Sequence, residues 1–198
     1  MEEVEKIIES FLTDMGAGKT YMQIDPELIE QYENVFMTDK DNSDVITSLW
    51  KKYGFQSFKD NRFWTINPER FSYLAKKFPN VSQDALAFAR TGLGNLFIYE
   101  KLEIGDTISY LNVHSGQSTV ASTSFEVFFE FDIVLDEYWK EDIRAKKEFF
   151  AKKKRTKLEH DQCLAYIPAL VLGGNESTKN LKVVNIFEHL EMLSQLYN

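Results

Sequence analysis

The side chains able to do chemistry in this sequence are few, and they are scattered. Three histidines, His114, His160 and His189, stand beside a single cysteine, Cys163, and a background of 31 aspartates and glutamates. A catalytic zinc takes three protein ligands and keeps one position open, and ligand pairs on a helix sit three or four residues apart. No two of these histidines have that spacing. His160-Asp161 and Glu188-His189 become mixed ligands only if folding brings them together, so a metal-dependent hydrolase is the weaker alternative and surface or partly buried histidines are the expectation. Cys163 leads into the apolar run LAYIPALVLGG and reads as a small buried hydrophobe rather than a nucleophile. A lone cysteine forms no internal disulfide, which fits a reducing cytoplasm.

Two glycine clusters invite a nucleotide reading. In Gly16-Ala17-Gly18-Lys19-Thr20 the phosphate-loop pattern would need another glycine where Thr13 stands. That loop must also run from a buried strand into a helix, whereas an amphipathic helix precedes this one. A glycine helix stop at Gly16 and Gly18 is the expectation. Thr91-Gly92-Leu93-Gly94 fails the dinucleotide pattern because Phe97 holds the third glycine's place. No Gly-x-Ser-x-Gly elbow occurs. The expectation is a non-catalytic protein with no cofactor and no metal.

Charge is the more informative signal. The 198 residues carry a net charge of −8. Residues 1–44 hold twelve acids and three bases, and 100–142 hold ten acids and two bases, whereas 144–157 hold eight bases and one acid. Phosphates demand a basic surface, so a largely acidic chain does not suit direct nucleic-acid binding. It suits a basic protein partner, because opposite potentials steer encounter. The basic run from Lys146 to Lys157 reads as a solvated helix end. No apolar run reaches the ~18 residues that cross a bilayer, and the acidic, amphipathic MEEVEKIIES is not expected to be a secretory signal.

The elements that must position these groups follow from periodicity. The chain is organised around Thr91–Asn112, where two β-rich runs flank a turn ending in Gly105-Asp106 and predict a hairpin at the centre of a sheet. Ahead of it, Val4, Ile7, Ile8, Phe11 and Leu12 predict a helix. Asp25-Pro26 opens a second helix carrying Leu28, Ile29 and Tyr32, and Ser43 or Asp44 opens a third that Gly54 stops. Phe55–Ile66 reads as a short hairpin turning at 59–62, and Asn67-Pro68 starts a fourth helix. Asp84–Thr91 is expected as a strand. After the central hairpin come a strand over 118–121 and a helix capped within 122–124. That helix, FEVFFEFDIVL, is apolar nearly all round and so expected to be buried. A basic helix over 141–155 follows. Pro168 rules out a central strand through 163–172. Leu181–Val184 reads as an edge strand before a final helix over 187–197. The fold class is α+β, small antiparallel sheet packed by helices. The turn-rich residues 79–83 place a boundary between an N-terminal α/β module, 1–80, and a mixed α/β domain, 81–198.

Phe11, Gly16, Gly18, Ile29, Tyr32, Leu49, Trp50, Gly54, Phe55 and FWTINPERF (63–71) resemble a GAD-like domain. The later part is similar to the C-terminal domain of type VI secretion immunity proteins that protect against a DNase effector. That likeness is carried by Ala89-Arg90-Thr91, Gly94-Asn95-Leu96-Phe97, DQCLAYIPALVLGG (161–174), His189-Leu190, Leu193 and Leu196. These motifs are structural rather than catalytic. The resemblance implies a cytoplasmic antitoxin that binds a cognate toxin and blocks its active or DNA-binding surface; a non-catalytic regulatory or scaffold module is the alternative. A nuclease presents a basic groove to DNA, which an acidic protein can occupy. The expected contacts are two acidic patches, Asp39, Asp41, Asp44 and Glu100, Glu103, Asp106, with Tyr110 or Trp139 as anchors. For each aromatic the core is the commoner place.

Overall fold

The computed structural model describes residues 2–36, 44–103, 105–135 and 158–197. Helix α1 (Glu2–Met15) turns Ile7, Ile8, Phe11 and Met15 inward and ends at Gly16, whose φ of +62° and N–H bond to the Leu12 carbonyl (2.8 Å) form its C-terminal stop. Helix α2 (Pro26–Phe36) starts where the Asp25 carboxylate accepts the Glu27 N–H at 3.0 Å. Helix α3 (Asp44–Tyr53) runs to Gly54, at φ +68°. The boundaries expected for these three helices are found, with one correction. Gly18 does not stop a helix; it lies inside strand β1 (Ala17–Met22). A β-carbon at Gly18 would come within 2.1 Å of the Ser57 carbonyl oxygen, so close backbone approach, not helix termination, requires glycine there.

Strands β2 (Phe55–Phe58), β3 (Phe63–Thr65), β4 (Leu86–Thr91), β5 (Leu96–Leu102), β6 (Gly105–Asn112) and β7 (Gln117–Ser122) join β1 in a seven-stranded antiparallel meander, paired in chain order. The central hairpin is β5–β6, in register from Leu96↔Leu111 to Leu102↔Gly105. The period of two assigns alternate side chains to opposite faces. Leu96 and Ile98 point into one core, Phe97 and Tyr99 into the other. A strand covered on both faces needs no polar alternation, which is why Leu96–Tyr99 is an unbroken apolar block.

One face is packed by α1, α2, α3 and α5 (Phe125–Val127), which continues as a π-turn over Phe128–Asp132. Phenylalanines fill this side edge to face, with Phe11–Phe58, Phe97–Phe128 and Phe88–Phe125 ring centroids 5.0–5.1 Å apart. Ser124 caps α5 by accepting the Val127 N–H. The expectation that this helix is buried all round is corrected: Phe125, Phe128, Phe129 and Ile133 are buried, while Val127, Phe131 and Leu135 are exposed.

The other face carries α4 (Pro68–Ala75), capped by Asn67, and the C-terminal helix α6 (Ile186–Leu196), capped by Asn185. With them lies a separate two-stranded sheet of β8 (Gln162–Tyr166) and β9 (Leu181–Asn185). Strand β8 stops ahead of Pro168, and β9 pairs with it rather than at the edge of the large sheet. Leu164 N–H donates to the Gly92 carbonyl at 2.9 Å, tying the two sheets together. Residue 80 falls between β3 and β4, which are hydrogen-bonded neighbours. The expected basic helix over 141–155 lies outside the described residues.

Candidate functional site

The β5–β6 hairpin carries most of the expected contact residues that the structure describes. Glu103 is exposed at its turn. Asp106, half-buried, accepts the Tyr99 hydroxyl at 2.6 Å. Two steps on, Ile108 enters the core, and Tyr110 lies half-buried with its ring 5.2 Å from Phe97 and its hydroxyl accepting from the Asn95 amide at 2.7 Å. Asn95 in turn accepts the Val113 N–H at 3.1 Å, so Tyr110 is held by a braced network. Glu100 differs from the other acids. Only 2% exposed, it points inward and accepts the Ser82 N–H at 2.9 Å, where it pins the turn ahead of β4. Asp44 is the first residue of α3. Asp39, Asp41 and Trp139 lie outside the described residues.

Folding brings two histidines together that spacing kept apart. His114, in the turn after β6, and His189, on α6, are buried with ring centroids 5.7 Å apart. Burial lowers His114 to about 4, opposed by its Nε2 contact with the Leu93 carbonyl (2.9 Å). Burial and then the neighbouring His114 lower His189 to about 3. His160 is elsewhere, stacked at 5.1 Å on Tyr21. Among the described residues no group of three or more His, Cys, Asp or Glu is placed to hold a metal ion. Cys163 is buried, beside Gly94 and Ile186. Gly16–Thr20 runs from a helix into a strand, the reverse of a phosphate loop.

One site escaped the sequence reading. A groove of about 780 Å³ opens at the β1–β2 end of the large sheet, where no helix among the described residues covers this face of the strands. Gly18 and Ser57 form its floor, the end of α1 one wall, the β2–β3 turn another, and residues 158–160 a third. The turn is unusual: Lys59, Asp60 and Asn61 all have positive φ, between 46° and 64°. Lys59 N–H bonds the Met15 carbonyl at 2.7 Å and Trp64 Nε1 bonds the Asn61 carbonyl at 3.0 Å, which offsets that strain. Beneath the groove the buried Arg90 guanidinium sits 4.3 Å over Trp64 and donates to the carbonyls of Thr91 and His160. The sequence signals were the glycine at 18 and a polar hairpin turn, neither of which reports a cavity.

Comparison with known proteins places this architecture. Residues 6–113 match the GAD-like domain, and residues 123–197 match the family described as "T6SS immunity protein Tdi1, C-terminal". No curated protein matches the sequence. A solved structure, Atu4351 from Agrobacterium tumefaciens, shares the fold with a TM-score of 0.75 at 14% identity, over 94% of this chain and 88% of that one. With more than half the chain matched by the first domain and the second following it in order, this protein belongs to the type VI secretion immunity family that joins a GAD-like domain to a Tdi1-type C-terminal domain.

Proposed function

We propose that this immunity protein neutralises a cognate type VI secretion toxin, a basic nuclease acting on DNA, by covering its active or DNA-binding surface without turnover. The observation that carries the reading is the order of the two matched regions, which together span nearly the whole chain. The net charge of −8 supports the nuclease class, since a DNA-binding groove is basic and an acidic surface competes for it. The contact surface we propose centres on Glu103, Asp106 and Tyr110 of the β5–β6 hairpin and extends to Asp39, Asp41, Asp44 and Trp139. Glu100 contributes from inside, by holding Ser82. A stable complex buries ~1,600 Å², and one hairpin supplies only part of that. The encounter takes place in the cytoplasm, where the DNA is.

Co-expression with the toxin encoded in the adjacent reading frame tests this. Protected cells and a stoichiometric complex on size exclusion are expected. Killing as fast with the protein as without it, and no complex, would reject the reading.

A further inference from the structure

We propose that the groove at the β1–β2 end of the sheet receives an arginine-bearing loop of the toxin, as a second point of attachment apart from the β5–β6 hairpin. This rests on the toxin reading and names how the partner is held. The groove's volume, about 780 Å³, lies within the ~300–1,000 Å³ of sites that enclose a ligand or a few side chains. Its floor lacks a side chain at Gly18 for a reason fixed in the backbone: none fits between that residue and Ser57. Farther along the same sheet face, α4, α6 and β8 cover the strands.

The lining decides what enters. Among the described lining residues Asp14, Asp60 and Glu159 are exposed and Lys59 is half-buried, while the buried Arg90 guanidinium beneath them is engaged by the Thr91 and His160 carbonyls, so the described rim carries more acid than base. Phosphate and carboxylate ligands are repelled there, and a cation is drawn in. Guanidinium fits better than ammonium, because its planar fork pairs with carboxylates bidentately and stacks on flat rings. An exposed ring is present: His160, held flat by stacking on Tyr21. The three-residue left-handed turn, pinned to Met15 and Trp64, makes that rim rigid before the partner arrives, which lowers the ordering cost of binding.

The test compares three proteins for affinity to the adjacent-frame toxin and for protection of cells. One carries Asp14→Lys, Asp60→Lys and Glu159→Lys. A second carries Thr13→Trp, which fills the groove without changing charge. A charge-matched control carries Glu3→Lys, Glu27→Lys and Glu188→Lys, exposed positions that do not line it. Thermal midpoints and circular dichroism confirm that all are folded. About tenfold or greater weakening is expected for both groove variants, with the control within about threefold of wild type. Groove variants that bind and protect as wild type does would overturn the groove assignment and leave the toxin reading standing. A wild-type protein that binds no toxin sinks both. ATP binding to the free protein that Thr13→Trp abolishes would overturn the assignment in favour of a nucleotide site.

Discussion

His114 and His189 are the residues whose chemistry the fold changes most. Each is buried, and His114 Nδ1 and His189 Nε2 find no hydrogen-bond partner among the described residues. Tyr166 packs against His114 at 5.2 Å, and the Tyr197 hydroxyl donates to the His114 carbonyl, so two tyrosines flank His114. Both imidazoles have their proton affinity lowered on folding, to about 4 and about 3, from a usual value of 6.5. The unfolded chain therefore binds protons that the folded chain refuses. Stability is fully present above pH 6.5 and falls as the pH drops from there towards 4, by up to about 1.4 kcal/mol per pH unit for each histidine. Denaturant midpoints from pH 8 to 4.5 check this, and His189→Leu is expected to flatten the dependence. Midpoints unchanged between pH 7 and 5 would show that the pair is not held neutral. Nothing in the sequence signalled the pairing, because the two histidines are 75 positions apart and meet only when α6 docks beside the β6–β7 turn.

At the level of elements, local rules predict separable costs. Asn185 caps α6 by accepting the N–H groups of Phe187 and Glu188, so Asn185→Ala is expected to cost about 1 kcal/mol in thermal or denaturant unfolding. Gly18→Ala places a methyl against the Ser57 backbone, with no flexible side chain to yield, and is expected to cost on the order of 2 kcal/mol or more. If Gly18→Ala unfolds at the wild-type midpoint, β1 does not lie as tightly on β2 as described. The Lys77–Glu191 pair joins the turn after α4 to α6 at 2.7 Å but is partly exposed, and its removal is expected to matter little. Strand β1 escaped the sequence reading for the same local reason that makes it interesting. AGKTYM lacks apolar alternation, and its pairing with β2 is irregular.

The whole molecule is built on a sheet that passes through the expected boundary without a break. Strand β3 pairs with β4, and one core cluster reaches from Trp64 to Leu193. The matched regions put their own seam between residues 113 and 123. A fragment of residues 1–80 is therefore expected not to unfold cooperatively, because it ends with the partner of β3 missing, while the full chain shows a single transition. Circular dichroism of the fragment during urea titration checks this; a sharp, reversible transition would make 1–80 an independent module.

The first four helices, the stops at Gly16 and Gly54, the start at Asn67 and the central hairpin were legible along the chain, because each depends on neighbours a few residues apart; the α+β class and the family followed from their order. Legible too was the acidic character, a net charge of −8. Tertiary structure alone decided that Glu100 turns inward while Glu103 stays out: Glu100 lies in strand β5, where it meets the Ser82 N–H, and Glu103 falls in the turn beyond it. It alone brought His114 to His189 and opened a groove among the described residues at the β1–β2 end of the sheet. Those outcomes depend on which helix covers which strand, and residues far apart in the chain settle that by packing.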